Sequence, residues 1–174
     1  NRAEFGGAIY IGFGSSPVLA GNLFYHNTAE WNGSAIFSVS AYPKLINNTI
    51  SENFCLAGDE YYSCGAVENF NGKIVLTNNI IRNNYSNFNA GLQLVGEKDY
   101  YILANNLEAY IGNSSNVDID PGFWGQGAYP FQLVENASSI DAGINSAYDG
   151  VLSSYDISGN DRVCGSGIDM GCHE

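Results

Sequence analysis

The residues able to do chemistry are few and scattered. The chain of 174 residues carries 18 Asp plus Glu, six Lys plus Arg, four Cys and two His. His26 and His173 are too isolated to suggest a nucleophile–histidine–carboxylate arrangement. Oxygen-rich turns are the better candidates. Asp118 with Asp120 forms one acidic pair, and "DISGND" places Asp156, Asn160 and Asp161 within six residues. The second faintly resembles an oxygen-ligand loop for calcium, although it lacks the spacing and final Glu of an EF-hand. Such Asp residues more often close turns on their own backbone. The cysteines fall into two close pairs, Cys55/Cys64 and Cys164/Cys172. Neither has the two-residue gap of a zinc knuckle, so two local disulfides and an oxidising compartment are expected.

A net charge of −12 leaves no basic patch to neutralise phosphates, which argues against nucleic acid and anionic membranes as partners. No run of 18 apolar residues predicts membrane insertion. With 21 Gly and 12 Tyr, many Asn and few charges, the composition is that of a turn-rich β protein, not a helical one.

The elements that must position these residues announce themselves by repetition. "PVLAGNLFYHN" at Pro17 returns as "PKLINNTISEN" at Pro43, "IVLTNNIIRNN" at Ile74 and, more worn, "YILANNLEAYI" at Tyr101. The Asn at its centre recurs at Asn22, Asn48, Asn79 and Asn106, in steps of 26, 31 and 27. A second phrase keeps the same period at Gly7, Ser34, Gly65 and Gly91. Short alternating strands separated by turns, once per roughly 26 residues, predict an all-β parallel β-helix of about four coils over 1–112. The four Asn are expected to form a stacked amide ladder. Leu19, Leu45, Leu76 and Leu103 should form an apolar ladder three residues before it, and Leu23, Thr49, Ile80 and Leu107 follow it. The longer step has its excess at "CLAGDEYYSC", a loop that Cys55 and Cys64 would close. From 113 to 174 the period is lost, and this segment is expected to cap the same domain.

The coils resemble the pectate-lyase-like superfamily of right-handed parallel β-helices. The tail is similar to secreted bacterial proteins with a choice-of-anchor Q domain, through "DPGFW", "FQL", "SSIDAG", "SGN" and "GIDMGCHE" in that order. Ser139 stands near a usual Pro, and Cys172 and His173 replace the commoner Ala and Tyr. The resemblance implies a secreted, bacterial cell-surface or matrix protein.

Enzymes of this fold act on polysaccharides through stacked or paired carboxylates. The coil carboxylates Glu30, Glu52, Glu68, Glu97, Asp99 and Glu108 show no such pairing, so no catalytic residue is assigned. Tyr and Trp, among them Tyr10, Trp31 and Trp124, could stack on sugars. Five sequons occur, of which Asn32, Asn84 and Asn113 suit glycosylation at coil edges. The amino end enters the first coil at once, exposing strand edges to further coils or to another copy of the chain. The expectation is an extracellular structural or adhesive module that self-associates, with polysaccharide binding or processing as the alternative.

Overall fold

A computed structural model describes residues 1–57, 64–87, 93–96, 100–109, 115–147 and 150–174. The first coil contributes β1 (Arg2–Phe5), β2 (Ile9–Ile11), β3 (Val18–Ala20) and β4 (Leu23–Tyr25). The second contributes β5 (Thr28–Asn32), β6 (Ile36–Val39), β7 (Lys44–Ile46) and β8 (Thr49–Ser51). The third contributes β9 (Phe54–Cys55), β10 (Val67–Phe70), β11 (Ile74–Thr77) and β12 (Ile80–Arg82). The fourth contributes β13 (Tyr85–Ser86), β14 (Leu94–Gly96), β15 (Tyr100–Leu103) and β16 (Asn106–Leu107). Equivalent strands pair in parallel, giving four 4-stranded sheets: β1-β5-β9-β13, β2-β6-β10-β14, β3-β7-β11-β15 and β4-β8-β12-β16. From its first strand to its last each sheet spans about 3 turns of an all-β solenoid, slightly fewer than the expected count.

Alternation along each strand sends one residue in and the next out. Leu19, Leu45, Leu76 and Ile102 stack inside one wall. Phe24, Ile50, Ile81 and Leu107 stack inside the next. Leu45, Leu76, Ile50, Ile81 and Leu107 are fully buried, and each such side chain stabilises the fold by about 1.5–3 kcal/mol relative to exposure.

The corners explain the recurring Asn pairs. Gly21, Asn47, Asn78 and Ala104 occupy one corner, with φ of 65°, 50°, 56° and 49°. His26, Glu52, Asn83 and Ala109 occupy the next, with φ of 51°, 55°, 57° and 56°. Asn tolerates this left-handed conformation better than most residues. In "NNTI" the first Asn makes the corner and the second turns inward to the ladder.

The fourth coil corrects the expected register. Tyr101 pairs with Val75, and Asn106 pairs with Ile80. The ladder residue is therefore Asn105, and the inner apolar residue is Ile102, not Leu103. In coils two and three the ladder uses the second Asn of a pair. In coil four Ala104 takes the corner, so the ladder uses the first Asn. A one-residue slip moves every side chain to the opposite face, and Asn106 accordingly lies outside the wall.

The tail begins by prolonging the coil: Asn106 and Val117 form a parallel bridge. It then runs back along the side of the solenoid. Asn47 donates to the carbonyls of Asp169 and Gly171. Asn78 exchanges hydrogen bonds with the backbone of Ile144. The Thr49 hydroxyl accepts from the Cys172 amide at 3.1 Å. Phe123, Leu133 and Met170 pack on Ile80 and Ala104.

Candidate functional site

Five places hold the residues of functional interest. The first is the amide ladder. Asn48 Oδ1 accepts from the backbone N–H and Nδ2 of Asn22, both at 3.0 Å. Asn79 does the same for Asn48, Asn105 for Asn79 and Asn116 for Asn105. The steps are 26, 31 and 26 residues before the tail supplies the last rung. A second ladder of the same design links Asn1, Asn27, Asn53 and Asn84 and ends on Gln93. Its signal was present in the closing Asn of "PVLAGNLFYHN", "PKLINNTISEN" and "IVLTNNIIRNN".

That second ladder corrects one glycosylation expectation. Asn84 is 1% exposed, and its Nδ2 donates to Ile50 O, Arg82 O and Gln93 Oε1. The atom a glycan would occupy is inside the wall. Asn32 is half-buried and donates to Glu68, and Asn113 lies outside the described residues.

The second place is the cysteines. Cys55 and Cys64 form a disulfide with Cα atoms 6.3 Å apart, buried against Ala29 and Ala57. The expected Cys164–Cys172 bond is absent: both are free thiols. Cys172 is fully buried, held where its amide meets Thr49, while Cys164 sits in an exposed turn. Burial pushes the Cys172 thiol up to about 11.

The third place is the tail's charged core. Asp156 accepts four hydrogen bonds: Ser158 N and Asn160 N on Oδ1, Asn160 Nδ2 and Glu174 N on Oδ2. Burial raises its pKa, but these four donors outweigh burial and hold the carboxyl below its usual range. A carboxylate has about four lone-pair sites, so Asp156 has none left for a cation. Asn160 is itself a donor, and Asp161 is exposed. The three residues thus close a turn. Among the described residues no group of three or more His, Cys, Asp or Glu is placed to hold a metal ion.

Behind this turn Arg162, Asp169, His173 and Glu174 are buried together. Burial, then the nearby Asp169, pushes Glu174 up to about 8, and Arg162 at 4.0 Å offsets only part of this. Burial also raises Asp169 to about 6 and lowers His173. Asp169 is 4% exposed and the Glu174 side chain 1%, so substrate cannot reach them. Coil carboxylates are engaged singly: Glu30 with Arg2, Glu52 with His26, and Glu108 with the Asn83 amide and Gln93. Glu97 and Asp99 lie outside the described residues.

The fourth place is Glu68, on the outer wall of β10. Its Oε1 accepts from Asn32 Nδ2 at 2.7 Å and its Oε2 from Gly33 N at 3.1 Å. Burial raises its pKa to about 7 against these two bonds. Phe5, Tyr10 and Phe37 form an aromatic group on the same side, with ring centroids 5.7–5.8 Å apart.

The fifth is the edge of the first coil. β1, β2, β3 and β4 each end their sheet. Ala8, Ile9, Leu23, Phe24, Tyr25 and Asn27 line an open depression there of about 530 Å³.

Comparison with protein-family models, curated proteins and solved structures found no match. What the chain shares with the resembled families is the parallel β-solenoid itself.

Proposed function

We propose that this chain is an extracellular, non-catalytic structural or adhesive module that associates end to end through its first coil. The observation that carries the reading is the row of terminal strands β1–β4, with half-buried Ile9, Leu19 and Leu23 behind it. Such an edge is a template for the strands of another chain or of further coils of the same fold. The Cys55–Cys64 disulfide supports an oxidising, extracellular setting. The ordered tail motifs support kinship with secreted bacterial proteins of the choice-of-anchor Q type. Light scattering and electron microscopy on one sample of residues 1–174 test the assembly. Dimers, higher oligomers or filaments are expected. A strictly monomeric, stable domain would sink the reading.

A second reading, polysaccharide binding, is favoured by one surface feature. Trp124 is 60% exposed on a hairpin fixed by its own amide to Gln132 O and by Gly125 N to Pro130 O. It borders a depression of about 330 Å³ with Gln132 and Glu135. An indole face beside an amide and a carboxylate suits a sugar ring and its hydroxyls. Titration with neutral and acidic polysaccharides, with and without calcium, decides it; no binding and no cleavage in any case removes this reading.

A further inference from the structure

The corner between β5 and β6 holds a reactive dipeptide in an unusual setting. Asn32 is followed by Gly33. Asn–Gly bonds can cyclise: the glycine nitrogen attacks the asparagine Cγ, since glycine has no side chain to hinder the approach. The nucleophile and leaving group of that reaction are Gly33 N and Asn32 Nδ2. Both donate to one carboxyl group, Glu68, at 3.1 and 2.7 Å. Glu68 is 8% exposed, and the neighbouring titratable group that it influences is the Tyr100 hydroxyl, which is pushed upward by burial and by Glu68.

We propose that Asn32–Gly33 is a self-modification site at which Glu68 relays the protons of succinimide formation. The Glu68 carboxylate takes the proton from Gly33 N as the N–Cγ bond forms. It returns a proton to Nδ2 as the Cγ–Nδ2 bond breaks and ammonia leaves, so Glu68 ends as it began. Solvent water then opens the imide at either carbonyl, leaving aspartate or isoaspartate at position 32. A carboxyl whose pKa lies near 7 is suited to both halves of this relay at neutral pH. The product places a second carboxylate against Glu68 and removes the Asn32 donor. The β5–β6 corner would then loosen with the age of the molecule.

The test is the rate of deamidation at pH 7.4 and 37 °C, read as the mass increase of the peptide that contains Asn32. Three samples are compared: the folded chain, the folded Glu68→Gln variant, and a synthetic peptide of residues 28–37 as the unfolded reference. The folded chain should react at least about a hundredfold faster than the peptide, the lower end of what a positioned acid–base group supplies. Glu68→Gln should remove the excess. If the folded chain reacts no faster than the peptide, Glu68 is only a clamp on the corner and the proposal falls. That comparison stands even if the variant does not fold.

Discussion

At the scale of single residues, the ladders hold the walls in register. Asn79 shows the stakes. Its Oδ1 takes two hydrogen bonds from Asn48, and its Nδ2 gives to Leu45 O and Thr77 O as well as to Asn105. Asn79→Ala leaves at least two buried polar groups unmet, at about 1–3 kcal/mol each. The expected loss is ~3 kcal/mol or more, measured by chemical denaturation. The thiols give a second outcome. Under native, non-reducing conditions an alkylating reagent should label Cys164 alone, and unfolding should add Cys172, both read by intact mass. Finding neither thiol free would mean that the expected second disulfide forms after all. Much of this scale was legible in sequence, because coil stacking repeats residue types at a fixed period. What misled was the Asn–Asn pair, whose members are chemically alike: Asn47 and Asn78 take the corner and leave the ladder to the second Asn, whereas Ala104 takes the corner of coil four and leaves the ladder to the first. Asn106 shows the consequence. It faces outward, receives Arg82 at 3.1 Å, and donates to Ser139 Oγ at 3.2 Å. Ser139, one departure from the resembled tail pattern, thus meets Asn106 at the position where the other coils place Leu23, Thr49 and Ile80.

At the scale of elements, the tail is a strap whose buried acids make its grip depend on pH. Glu174 in the tail at about 8, and Glu68 on β10 at about 7, both have raised folded-state values. A carboxyl with a raised folded pKa holds its proton in the folded state after the unfolded chain has lost it. Its stabilisation of the unfolded chain therefore grows as pH rises from its ordinary value of 4.5 to the folded pKa. His173 works in the opposite sense, but only below its ordinary value of 6.5. Asp156, being lowered, acts only in acid. Between pH 6.5 and about 8 the raised carboxyls stand alone, and stability should fall as pH rises. Denaturation midpoints at the two ends of that window check the sign, and Glu174→Gln should flatten part of the slope. A stability that rises across the window would refute the assignment. None of this was readable beforehand. The tail has no period, and its acids come together only because residues 141, 156, 162 and 169–174 converge in three dimensions.

At the scale of the whole molecule, the two ends of the solenoid differ, and the difference limits how copies can meet. At the fourth coil, Asn116 and Val117 already occupy the ends of the ladder and of β16. At the first coil, charges occur on β1, whereas β2, β3 and β4 read IYI, VLA and LFY. Charges and prolines are the usual protection of an edge. Two first coils meeting face to face would form a closed two-fold dimer; a first coil meeting a fourth would have to displace the tail and could propagate. The strand geometry offers a substitution that separates edge pairing from folding. Lys44 N donates to Pro17 O, and Gly21 N to Ile46 O. The amides of Val18 and Ala20 therefore point away from β7, toward the free edge. Val18→Pro removes an edge donor while leaving the β3–β7 bonds in place, and Val18 is 48% exposed. The variant should retain the melting behaviour of the wild-type coil and lose association, measured by light scattering at matched concentration. Oligomers that survive Val18→Pro would mean that the contact lies on the outer wall, where Tyr10 and Phe70 are exposed, or on the tail hairpin of Trp124.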